Sequence, residues 1–147
     1  NRKPGQATLA FNDSGKFEDR WVYLEVEKTN CVFLEGIEKL YLPVAHAEGK
    51  FMVPKAEMLE ELSGKGQIAL RYVNERGEED GYPWNPNGSM GNVAGICDDT
   101  GRIFGLMPHP ERHVERFHHP RWTRMKLSEE GEGLRIFKNA ARFAETL

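Results

Sequence analysis

Two short apolar runs, Asn92 to Cys97 and Arg102 to Met107, flank the four residues Asp98-Asp99-Thr100-Gly101. A connection this short and rich in Asp and Gly is the signature of a β-hairpin, and it fixes the framework around it. Other runs fit the same reading. Trp21 to Glu27 places Val22, Leu24 and Val26 on one side of an extended segment, Leu40 to Ala45 is a further strand, and Gln67 to Val73 another. Pro43 cannot donate to a ladder, so the strand that holds it is expected to end near a loop. Cys31 to Leu34 is a short apolar run that reads as the start of a buried strand. Helices are fewer. Pro54 to Leu62 opens with proline at a tolerated first-turn position and spaces Met58, Leu59 and Leu62 at helical intervals. Gly133 to Leu147 spaces Ile136, Ala140, Phe143 and Leu147 as an amphipathic closing helix. Between strands, Asn74 to Gly91 is a long stretch of Gly, Asn, Pro and acidic residues; loops of that length are often functional.

At 147 residues the chain is one domain or a large piece of one, long enough to hide roughly two-thirds of its unfolded surface. An apolar fraction of 39% argues against disorder, and a net charge of −3 offers no general attraction to nucleic acid or anionic lipid. The longest apolar stretch, Leu40 to Ala47, is broken by Pro43 and His46, so no membrane span is expected. The basic start, Asn1 to Gly5, is followed by no hydrophobic segment and does not read as a signal peptide. Two cysteines without CxxC spacing read as reduced thiols, which points to the cytoplasm. One segment departs from the overall charge balance. Arg112, Arg116, Arg121, Arg124 and Lys126 accompany only Glu115, with Phe117 and Trp122 between them. A single-stranded nucleic acid would suit such a mixture, but a partner-docking or ordinary surface role fits better because no wider basic field supports it.

The sharpest local feature is Met107-Pro108-His109-Pro110-Glu111-Arg112. Each proline pushes the residue before it away from helix. In an extended segment, side chains two apart face the same way, which would let Glu111 orient the His109 imidazole as the acid and base of a nucleophile–His–acid triad. From the 18 Glu and five His, about 0.6 H-x-E triplets are expected by chance, and the chain has three. An ordinary surface His–Glu contact therefore fits the spacing too. Four histidines between positions 109 and 119 invite a zinc reading, but Pro110 disfavours the helix that would bring His109 and His113 together, so no metal site is expected. No nucleophile is visible. Ser89 lacks the first glycine of a G-x-S-x-G elbow, Cys97 runs into a turn, and Cys31 looks buried.

Taken in order, Pro43-Val44-Ala45-His46-Ala47-Glu48-Gly49, Asn85-Pro86-Asn87-Gly88-Ser89, Ala94-Gly95-Ile96 and Met107 to Arg112 resemble one family over nearly the whole chain. It is the glutaminase domain of phosphoribosylformylglycinamidine synthase, a class I glutamine amidotransferase. The resemblance implies an α/β, partial flavodoxin-like class I amidotransferase fold with a mixed sheet. It also implies that residues 1–147 are the carboxyl portion of a single domain, without the elbow that carries the catalytic cysteine. By the same resemblance His109 is the general base and Glu111 its orienter, and the loop with His46 and Glu48 lies beside the glutamine pocket. Ala47 stands where the family usually has glycine, which restricts the backbone there. The implied substrate is glutamine and the implied partner a synthetase domain or subunit. No cofactor belongs to this segment; ATP and magnesium would serve the synthetase. The alternatives are a class I amidotransferase for another acceptor and a non-catalytic interaction fragment of the same fold.

Overall fold

The structure is a computed structural model and describes residues 7–147; the basic start, Asn1 to Gly5, lies outside the described residues. Among the described residues, seven strands and two α-helices succeed one another as β1 (Thr8–Ala10), β2 (Glu18–Val26), β3 (Lys39–His46), β4 (Lys50–Met52), α1 (Ala56–Gly64), β5 (Ile68–Val73), β6 (Val93–Cys97), β7 (Phe104–Leu106) and α2 (Leu134–Ala144). A five-stranded sheet has the order β3-β2-β5-β6-β7, and β1 pairs with β4 in a separate ribbon. Every pairing among the described strands is antiparallel, so the parallel pairings of a mixed sheet are not among them. The hairpin around Asp98–Gly101 is present, with Cys97 opposite Phe104 and Gly95 opposite Leu106.

Alternation decides which face each strand buries. In β2 Val22 and Leu24 point inward, and in β3 Leu40, Leu42 and Val44 do; Val22 lies opposite Leu42, and Leu24 opposite Leu40. Leu70, Tyr72 and Ala94 extend this core, and Leu34 and Ile136 close it. A smaller cluster of Phe51, Val53, Ile68 and Val93 is packed against Met58, Leu59 and Leu62 of α1; a register shift between Ile68 and Leu70 separates it from the main core. Those three α1 residues are the ones that helical spacing assigned to its apolar face.

The sheet is strongly curled. Met107 N–H donates to Ala94 O of β6 at 3.0 Å, and only two residues later His109 N–H donates to Pro43 O of β3 at 2.8 Å. Two residues reach at most about 7 Å, so the two ends of the strand order approach each other here. That approach places the chain after β7 along the free edge of β3.

One expected strand is absent. Val32–Leu34 is a single 3₁₀ turn. Cys31 and Leu34 are buried, as an apolar run predicts, but a turn of three residues meets the same burial pattern without ladder partners.

Candidate active site

Pro43 gives β3 a natural edge, because it has no N–H to offer a further strand. The carbonyls left on that edge are capped by the segment after β7. His109 N–H donates to Pro43 O, and His113 Nδ1–H donates to Tyr41 O at 3.1 Å. Tyr41 N–H in turn donates to Glu132 Oε2 at 2.6 Å. An edge that would otherwise invite pairing thus becomes the mount for Met107 to His113.

His109 has extended backbone (φ −103°, ψ 92°), and Pro110–Arg112 then make a 3₁₀ turn. The expectation of an extended run through Glu111 is therefore corrected, although its consequence stands. The turn brings Glu111 Oε1 to 2.7 Å from His109 Nδ1. Nδ1 donates that bond, which leaves Nε2 as the acceptor nitrogen, and Nε2 bonds to no other described residue. The imidazole is 36% exposed, so a reacting group has room to reach it. Two glycines make the tight packing behind this turn feasible. A Cβ on Gly133 would lie 2.1 Å from Pro110 O, and one on Gly131 would lie 2.3 Å from His113 O.

His46 is a different case. It continues the inward series of β3 and is buried. Its Nδ1–H donates to Asn12 Oδ1 at 3.1 Å, and its Nε2 accepts from Asn87 Nδ2 at 3.4 Å. Both ring nitrogens therefore have partners within the protein. Burial, foremost, pushes the His46 pKa down, and nearby His109 adds to it. Neutral His46 belongs to a buried polar network that sequence reasoning did not resolve. Asn12 Oδ1 also accepts from Gly49 N–H, Asn87 Oδ1 accepts from the Ser89 hydroxyl at 2.7 Å, and Ser89 Oγ accepts from Phe51 N–H. Asn-Pro-Asn-Gly-Ser stood out as a motif, but its role of tying the long loop to the turn after β3 needs contacts about 40 residues apart. Glu48, on that turn, is exposed.

The cysteines lie elsewhere. Cys97 is at the turn end of the hairpin, whereas His109 follows its open end, and both thiols are buried. Burial pushes the Cys31 thiol up to about 12, which opposes thiolate formation. Among the described residues no three His, Cys, Asp or Glu side chains are grouped to hold a metal ion, and no helix is long and apolar enough to cross a membrane.

Residues 1–144 match the CobB/CobQ-like glutamine amidotransferase domain. The chain belongs to that family. It is 48% identical over 145 residues to phosphoribosylformylglycinamidine synthase subunit PurQ of Dehalococcoides mccartyi, covering 97% of this chain and 55% of the relative. It is 45% identical over 150 residues to the PurQ subunit of Archaeoglobus fulgidus, covering 99% and 53%. The amidotransferase chain therefore spans about half the length of the curated relatives it matches. Its fold resembles a chain in the structure of PurLQS from Thermotoga maritima, with a TM-score of 0.67 and 30% identity over 95% of this chain and 53% of that one. This likeness bears out the class I amidotransferase-type α/β fold.

Proposed function

We propose that the chain supplies the base and acid of a Cys–His–Glu triad in the glutaminase subunit of a phosphoribosylformylglycinamidine synthase. The observation that carries this is the 2.7 Å His109–Glu111 bond, made by a pair mounted at the free edge of β3 with Nε2 left open. The names of its relatives supply the acceptor chemistry.

In this reading the thiolate comes from a part of the domain outside these 147 residues, since neither Cys31 nor Cys97 suits the role. His109 Nε2 takes the thiol proton, and the sulfur attacks the glutamine carboxamide. The same proton then passes to the departing nitrogen, releasing ammonia and leaving a glutamyl thioester. Water, deprotonated by His109, hydrolyses the thioester to glutamate and restores the thiol. Glu111 holds the imidazole tautomer and balances its charge while it is protonated. Exposed Glu48 is suited to the α-ammonium of glutamine, and His46 acts through the turn it holds. Ammonia passes to a synthetase partner, where ATP and magnesium serve amidine formation. The setting is the cytoplasm.

The test is a pair of rates on one preparation of the complete enzyme, with glutamine and with ammonium salt as nitrogen source. Loss of the glutamine rate alone on His109→Ala supports the reading, and equal loss with both sources overturns it. The 147 residues alone are expected to release no glutamate; release that Cys31→Ser or Cys97→Ser abolishes would place the nucleophile within them.

A further inference from the structure

The basic segment that the glutaminase chemistry leaves unused forms a closed loop. Its ends are drawn together by the Glu115–Glu130 bridge, the Arg116–Glu129 ion pair at 3.0 Å and the Gly131 N–H to Val114 O bond. Its middle is pinned by His119, which is 2% exposed and packs 4.4 Å from Trp21 and 5.6 Å from Tyr41, ring centre to ring centre. His119 Nδ1 accepts the Arg121 N–H at 3.0 Å, which fixes where the next residues leave the surface.

Between these pins the loop exposes what a protein surface ordinarily hides. Phe117, Trp122 and Met125 are 53%, 42% and 38% exposed. Phe117 meets Trp122 edge-on at 6.2 Å, and the Arg116 guanidinium lies over the indole at 5.8 Å. Arg121, Arg124 and Lys126 are exposed around them and enter no ion pair among the described residues. Trp, Phe, Met and Arg are the residues enriched at the centres of protein interfaces. Held in place beforehand, they lose little freedom on binding.

We propose that the loop from Glu115 to Glu130 is the docking surface for the ammonia-accepting synthetase chain, through an acid-rimmed apolar patch on that partner. The proposal rests on the amidotransferase reading above. Position favours this occupant. The loop is rooted beside the mount of His109: His113, which caps Tyr41 O on the same β3 edge, and His119 of the loop pack on one ring, Trp21, at 4.8 and 4.4 Å, so a protein that covers His109 to take up ammonia before it mixes with bulk water has this loop at its margin. Charge fixes the partner's chemistry, because three unpaired cations around an aromatic centre are matched by carboxylates around an apolar one.

The experiment uses the full-length subunit and its synthetase. Arg121→Glu/Arg124→Glu/Lys126→Glu and, separately, Trp122→Ala should each weaken binding at least about tenfold. Glutamine-dependent synthesis should fall while glutaminase turnover of the free subunit, ammonia-dependent synthesis and the melting temperature hold. Added salt should weaken wild-type binding more steeply than binding of the triple variant. Unchanged affinity overturns the proposal. So does a lowered melting temperature, which would place the loop against the rest of its own domain. Wild-type affinity for the synthetase beside lost binding of a single-stranded oligonucleotide would assign the loop to nucleic acid instead. A wild-type control separates the two readings: glutamine-dependent synthesis by the native pair upholds the amidotransferase assignment whatever the variants do.

Discussion

His109 and His119 are ten residues apart on one segment, yet they occupy opposite environments. His109 is one-third exposed, bonded to a carboxylate through Nδ1 and open at Nε2. His119 is buried against Trp21 with Nδ1 accepting a backbone N–H, and His113 beside it spends its Nδ1–H on Tyr41 O. Burial, foremost, pushes the pKa of both His113 and His119 down, so they stay neutral as packing groups. The lesson is that the residue type carries no role by itself. A carboxylate and an open nitrogen suit one histidine to the part of a base, and an apolar aromatic wall makes the next a spacer.

The largest effect that would sharpen this contrast is His109→Ala in the complete enzyme. Glutamine-dependent turnover should fall on the order of a millionfold, the scale on which a triad fails without its base, while ammonia-dependent synthesis persists. Glu111→Ala should cost glutamine-dependent turnover on the order of 10⁴, because in the proposed triad it orients the ring without itself transferring the proton. An equal loss of ammonia-dependent synthesis in either variant would put both residues in the class of His119.

Next comes the packing that separates the two environments. Gly133→Ala puts a methyl against Pro110 O and should lower stability by about 1–3 kcal/mol in denaturant titrations. It should also slow glutamine hydrolysis by shifting the turn under Glu111. A variant as stable and active as wild type would show that this turn does not depend on the close approach.

Acid should act on stability through the buried histidines. His46, His113 and His119 have folded pKa values below their ordinary 6.5, so the unfolded chain binds protons first. Their contribution is present in full above about 6.5 and is lost as pH falls from there through the lowered folded values. Unfolding free energy measured at several pH values should decline over that window, and less steeply in His119→Gln. An unchanged slope in that variant would mean that its burial carries no linkage. Smallest of all, Cys31→Ser should leave glutamine hydrolysis by the complete enzyme unchanged and cost stability about 1–3 kcal/mol, since a hydroxyl replaces a buried thiol. Lost activity at native stability would make Cys31 part of the chemistry.

Local pattern made much of this molecule readable. Alternation in Trp21 to Glu27 and Leu40 to Ala45 located β2, β3 and their inward residues, and the Asp/Gly turn located the β6–β7 hairpin. β1 and β4 escaped notice because three residues are too few to show a period. The Cys31 to Leu34 run was misread for the same reason, since a short buried stretch looks alike as strand or turn. At the site, the two prolines singled out His109 and Glu111, although the carboxylate reaches the ring through a 3₁₀ turn.

The sequence by itself determined the five strands of the larger sheet, the ladder N–H that Pro43 lacks, and the pairing of one histidine with one carboxylate. All of these follow from the steric limits of neighbouring residues. Only the tertiary structure decided where that pair sits and what the other histidines do. The curl of the sheet brings Pro43 to His109 across 66 positions, Asn12 to His46 across 34, and Tyr41 to His113 across 72. No local rule encodes such contacts, because they are chosen by the burial of the whole apolar face at once.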